Sequence, residues 1–141
     1  MISIKQETLA QTIGLREFTE ASFVVYREPY YHFTYSKGDT GLATYTVHYA
    51  TATEATGPWT YRGIVLTQDP KHGILSTGSS GTVKVPGRDE WYIAYHRFQI
   101  PGGDGVHRET CIDKVTFDPK TGLMNPVVPT LAGIKALRRR N

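Results

Sequence analysis

Residues 20–36, Glu-Ala-Ser-Phe-Val-Val-Tyr-Arg-Glu-Pro-Tyr-Tyr-His-Phe-Thr-Tyr-Ser, decide the fold. Phe23 to Tyr26 is apolar and β-branched or aromatic, and Tyr30 to Tyr35 is dense in aromatics. Both compositions suit a pleated, largely buried ribbon. Pro29 has no N–H and a fixed φ, so it belongs to the turn between two strands and not inside either. Glu20 stands where a loop enters the first strand, a position that holds side chains at the mouth of a site more often than in a core.

Working outward, Lys37 to Thr44 reads as a Gly/Asp/Thr loop and Tyr45 to Thr51 as a third strand. Thr53 to Pro58 is a turn, Trp59 to Leu66 a fourth strand broken at Gly63, and Thr67 to Ser80 a long polar loop. The pattern then restarts. Gly81 to Val85 is a strand, Pro86 to Asp89 a turn, Glu90 to Phe98 an aromatic strand, and Gln99 to Val106 a Pro/Gly loop. His107 to Asp118 alternates as a long strand, Pro119 to Gly122 turns, and Leu123 to Val128 reads as a last strand. Met1 to Lys5 reads as a short outer strand, and Ala132 to Arg140 as a helical turn or a frayed basic tail.

Overlaying Tyr30-Tyr31 on Trp91-Tyr92 makes Gly81 the counterpart of Glu20 in a second unit. A four-strand unit repeated in this way is the signature of propeller blades. The expected architecture is all-β: about two four-stranded blades plus flanking strands over residues 1–130, then a basic tail over 131–141. Two blades do not close a ring, and apolar blade faces left in water drive association, so another chain or a second copy is expected against them.

The 141 residues carry 16 Lys and Arg against 13 Asp and Glu. Four of the positives are Lys135, Arg138, Arg139 and Arg140, so the body is nearly neutral and no nucleic-acid surface is implied. The one cysteine, Cys111, excludes an intrachain disulfide and reads as a small buried hydrophobe. No apolar run approaches a membrane span, and Met1 to Leu15 lacks the form of a signal peptide.

Residues just before a blade's innermost strand converge on the propeller axis, which singles out Glu20 and the run Thr77-Gly78-Ser79-Ser80-Gly81. Ser79 and Ser80 are candidate ligand contacts, because a glycine and serine run lets backbone approach a ligand closely. Glu17 is the nearby alternative to Glu20. Trp59, Tyr30 and Trp91 could stack on sugars, although strand positions favour packing between blades.

Four stretches together carry a resemblance: Arg16 to Phe23 with its following Tyr-Tyr-His-Phe-Thr-Tyr-Ser strand, Thr56 to Gly63, Asp89 to Arg97, and His107 to Thr110. In this order they resemble the C-terminal portion of glycoside hydrolase family 43. The resemblance implies part of a five-bladed propeller enzyme that trims furanosides or xylosides from plant polysaccharides by inversion. It implies Glu20 as general acid, Arg108 as a ligand of sugar hydroxyls, and His96 beside the substrate pocket. A planar guanidinium suits a vicinal diol. An inverting pair needs its carboxyls about 6.5–9.5 Å apart, with water between base and sugar.

The family's two aspartates, a general base and a residue that tunes the acid, have no match among Asp39, Asp69, Asp89, Asp104, Asp113 and Asp118. Glu20 by itself has no partner to activate water. The family allows a central calcium, but Ser79-Ser80-Gly81 fills the loop where many relatives carry a histidine, so no metal or other cofactor is expected. The alternative is a non-catalytic carbohydrate-binding or self-assembling half-propeller.

Overall fold

A computed structural model describes residues 15–135. It contains seven strands: β1 (Glu20–Arg27), β2 (Tyr30–Lys37), β3 (Thr46–Ala52), β4 (Thr60–Leu66), β5 (Gly78–Lys84), β6 (Trp91–Phe98) and β7 (Arg108–Val115). A single 3₁₀ turn, Pro70–His72, interrupts the long loop between β4 and β5. The strands form two antiparallel sheets in sequential order, β1-β2-β3-β4 and β5-β6-β7. These are propeller blades, the first complete and the second three-stranded. The expected strand at Met1 to Lys5 and most of the basic tail lie outside the described residues, and Leu131 to Lys135 form no helix.

Within the described residues, each expected strand except the last is present within a few residues. Leu123 to Val128 is not a strand: only a bridge between Phe117 and Met124 survives there. Pro126 and Pro129 explain this, since neither can donate to a ladder. The segment crosses instead to the first blade, where the Val127 N–H donates to the Val65 carbonyl at 2.7 Å.

The main core lies between the blades. Val47, Tyr49, Val65 and Leu66 of the first pack with Trp91, Ile93, Tyr95, Cys111 and Val115 of the second, closed off by Met124 and Val127. Full burial of an aliphatic side chain such as Val47, Leu66 or Ile93 stabilises by roughly 1.5–3 kcal/mol. A second cluster, Phe33, Tyr35, Ala50, Ala52 and Trp59, covers the opposite face of the first sheet, with Leu15 and Phe18 against it. Trp59 packs at a tilt on Phe33 and Trp91 packs edge-on to Phe117, so both tryptophans are packing residues. Cys111 is likewise a buried hydrophobe, its thiol pushed up by burial.

Two contacts fix one blade against the other. At one end of β1, Arg27 forms a two-pronged ion pair with Asp89, at 3.1 and 2.7 Å, and its guanidinium lies 4.3 Å from the centre of the Phe117 ring. Along the inner strands, the Phe23 ring sits where a side chain on Gly81 would reach it. β1 and β5 are therefore the neighbouring inner strands.

The register corrects the repeat. Glu20 pairs with Ser36 and Phe23 with Thr34, with a bulge between. Gly78 pairs with His96 and Gly81 with Ala94, with the same bulge between. Ala21 (φ 54°) and Ser79 (φ 48°) occupy matching left-handed positions. The counterpart of Glu20 is thus Gly78, three residues before the expected Gly81.

Candidate active site

The antiparallel order puts four chain positions at one end of the two blades: the starts of β1 and β5, the end of β6 and the start of β7. Glu20, Ser79, His96 and Arg108 occupy them. The bulges at Glu20–Phe23 and Gly78–Gly81 turn the first residues of both inner strands out of the regular ladder, a usual way of re-aiming a side chain.

Glu20 is exposed, and its carboxyl is held by a residue outside the expected set. The Tyr45 hydroxyl donates to Glu20 Oε1 at 2.7 Å. Tyr45 precedes β3 and is wholly buried. Its ring lies parallel to that of His96, with centroids 5.5 Å apart and planes 9° apart. Ser79 Oγ lies 3.3 Å from the Tyr45 hydroxyl, and the Ser79 N–H donates to Ser36 Oγ at 3.0 Å. Burial pushes the Tyr45 phenol above its ordinary value. The Ser36 and Ser79 hydroxyls oppose that shift, and the nearby Glu20 adds to it.

His96 is half-buried, and its Nε2 has no hydrogen-bond partner among the described residues. Burial lowers its pKa, the Arg108 cation lowers it further, and Glu20 opposes them. The imidazole is therefore held neutral between an acid and a guanidinium. Arg108 is exposed at the first position of β7 and makes no hydrogen bond among the described residues. It is available to an incoming ligand.

Ser80 does not join this group: its side-chain oxygen is buried and unpartnered, with no bond to Glu20, Tyr45 or Ser79. Glu17 is ion-paired to Lys37 and exposed. The described aspartates are engaged elsewhere. Asp39, Asp104 and Asp118 accept backbone N–H groups in their own turns. Asp69 pairs with His72, Asp89 with Arg27, and Asp113 is buried under Tyr95 and Thr130. Among the described residues, no group of three or more His, Cys, Asp and Glu is arranged to hold a metal ion. No helix there is long and apolar enough to cross a membrane.

Comparison with known proteins bears on the family and the fold. The family model described as glycosyl hydrolases family 43 matches residues 2–121. A protein of Aspergillus niger named beta-D-galactofuranosidase xynD is 33% identical over 135 residues, which is 96% of this chain and 38% of that protein. A protein of Bacteroides ovatus named xylosidase/arabinosidase is 38% identical over 81 residues, 57% of this chain and 22% of that one. The crystal structure of a thermostable family-43 glycoside hydrolase superposes with a TM-score of 0.73 at 26% identity, over 86% of this chain and 39% of that one. The chain therefore spans well under half the length of these relatives. It belongs to glycosyl hydrolase family 43.

Proposed function

We propose that the chain forms the acid-bearing part of a family 43 glycosidase that removes terminal furanosides or xylosides from plant polysaccharides by inversion. Glu20 protonates the departing glycosidic oxygen. Arg108 binds sugar hydroxyls, and His96 and Ser79 line the pocket beside it. The observation that supports this reading is the joining of both blades around one exposed carboxylate, with a neutral imidazole that feels both it and a guanidinium unengaged among the described residues. The names of the two curated relatives point to galactofuranosides, xylosides and arabinosides as the substrate class.

Inversion needs a base to activate water on the far side of the ring. Since each described aspartate is engaged elsewhere, that base comes from another part of a complete propeller, from a partner chain or from a second copy. Sugar binding draws on groups this chain already holds, so it survives without the base. A non-catalytic carbohydrate-binding half-propeller is the second reading, favoured by the same lack of a matching aspartate.

The test combines 4-nitrophenyl arabinofuranoside, xyloside and galactofuranoside with binding to arabinan and xylan. Glu20→Gln is expected to abolish hydrolysis and keep binding. Turnover by that variant at the parent rate would remove Glu20 from the reaction. Binding without any hydrolysis by the parent would favour the binding module.

A further inference from the structure

A general acid is only as good as the placement of its proton, and a glutamate at the exposed start of a strand has rotamer freedom to lose. Here the carboxyl is tethered at one oxygen. Tyr45 has a single hydroxyl hydrogen, and it is given to Glu20 Oε1 at 2.7 Å. The Ser79 contact at 3.3 Å must therefore run the other way, with the serine hydroxyl donating to the phenol oxygen. Ser79 is in turn fixed to β2 through its N–H and Ser36 Oγ. The phenol ring packs parallel to the His96 ring and against the bare backbone of Gly78, the strand partner of His96. Parts of β2, β5 and β6 thus immobilise the one group that grips the carboxyl.

We propose that Tyr45 is the positioning residue of Glu20: by committing Oε1 to a hydrogen bond, its phenol fixes Oε2 as the oxygen that carries and delivers the proton. In the neutral acid the oxygen that accepts from a phenol is the carbonyl oxygen, so the hydrogen resides on the other. When the glycosidic bond breaks, its electron pair passes to the departing oxygen, which takes the Oε2 proton. The carbon gains its new oxygen from water, and the base takes the water's proton. Negative charge then spreads over the carboxylate, and the hydrogen bond from Tyr45 strengthens, because bonds to ionised acceptors are about twice as strong as neutral ones. This is an interaction made better in the transition state than in the ground state, which is what accelerates a step. Tyr45 never touches the sugar in this arrangement.

The inference rests on Glu20 being the acid, and the experiment separates the two claims. The 141-residue chain carrying ¹³Cζ-tyrosine is titrated by NMR, with Tyr45→Phe used to assign the resonance. Since Glu20 holds the Tyr45 phenol up, Glu20→Gln is expected to shift the Tyr45 midpoint to lower pH. An unchanged midpoint in a folded variant would overturn the tether whatever the activity. The second measurement is hydrolysis of a 4-nitrophenyl glycoside, whose leaving group departs with little help, against an unactivated methyl glycoside of the same sugar. Tyr45→Phe is expected to lose roughly tenfold more kcat on the methyl glycoside, a part of the roughly 10²–10⁴-fold that general acid catalysis supplies in full. Equal losses on both substrates would show a merely structural tyrosine and overturn the proposal. If the parent chain hydrolyses neither, the assembly tested lacks the base, and the ring titration alone decides whether Tyr45 holds the carboxyl.

Discussion

A β-carbon placed on Gly78 would stand 2.0 Å from Cε1 of Tyr45, well inside any contact real atoms make. Gly78 lacks a positive φ, so its glycine is required by proximity and not by backbone conformation. Gly78→Ala should therefore push the Tyr45 ring off His96 and away from Glu20. Overpacking of this kind costs about 1–3 kcal/mol. Urea denaturation is expected to show that loss, and near-ultraviolet circular dichroism a changed tyrosine environment. An alanine variant with parental stability and spectrum would mean that the loop yields freely and that Tyr45 is not clamped.

Asp113 is the anchor of the C-terminal segment. It is 3% exposed, and it accepts the Tyr95 hydroxyl at 2.6 Å, the Thr130 N–H at 3.0 Å and the Thr130 hydroxyl at 2.6 Å. Asp113→Ala strands these donors where water does not reach freely. The expected loss is about 2–4 kcal/mol, since each buried donor left unsatisfied costs about 1–3 kcal/mol. The urea midpoint should fall, and amide exchange should accelerate first at Thr130 to Gly133. Exchange that quickens evenly across β1 to β4 instead would place the anchor elsewhere.

Much of the fold was legible because its determinants are local. Alternation of aromatic and β-branched residues marked β1, β2 and β6, and Pro29 and Gly87 marked turns. Glu20, His96 and Arg108 were legible through the family resemblance, and the strands bring them to one end. The bulges were not. They place Ala21 and Ser79 at positive φ, where residues with a β-carbon seldom sit, so composition gave no sign of them and the repeat was displaced from Gly78 to Gly81. Tyr45 was hidden for a different reason. An aromatic at the head of a strand reads as core, and it is buried; only the three-dimensional approach of β5 reveals that its hydroxyl meets Glu20. The missing last strand was readable in Pro126 and Pro129, whose cost to a ladder outweighs the strand preference of Val127 and Val128.

Acid should weaken the fold in two separate windows. His32, His48 and His96 all have pKa values lowered chiefly by burial. His32 shows why: Nε2 donates to the Arg27 carbonyl at 3.1 Å, leaving Nδ1 to accept the Tyr49 hydroxyl at 2.6 Å, a role an imidazolium cannot fill. In the unfolded chain a histidine takes up its proton near pH 6.5. Below that pH the unfolded state binds more protons than the folded one, so stability is full above it and falls as pH drops toward the lowered folded values. Asp89 acts in the lower window. Arg27, and then the Trp91 indole, hold its carboxyl down to about 2, so its contribution is present above its unfolded value of 3.8 and disappears as pH falls through about 2. Urea midpoints measured from pH 8 to 5 should decline, and less steeply in His32→Gln. Asp89→Asn should leave that slope unchanged and flatten only the region below pH 4.

The outer face of the first blade sets the behaviour of the chain by itself. Val24 and Tyr26 project there from β1, 43% and 55% exposed, and the Tyr26 ring rests on Tyr31 at 4.9 Å. Their strand partners Phe33 and Tyr31 continue the patch toward the buried cluster around Trp59. In a closed propeller this is the face that meets a neighbouring blade, whereas in the isolated chain water must cover it. Apolar surface removed from water is worth about 25 cal/mol per Å², so pooling several such side chains favours association of copies. Sedimentation velocity is therefore expected to show a species larger than one chain, with the fraction rising with concentration. Tyr26→Lys places a charge in the patch and should return the chain to monomer without lowering its unfolding free energy by more than about 0.5 kcal/mol, as expected for an exposed site. A parent chain that sediments as a monomer at every concentration would overturn this prediction, and the variant would then change nothing.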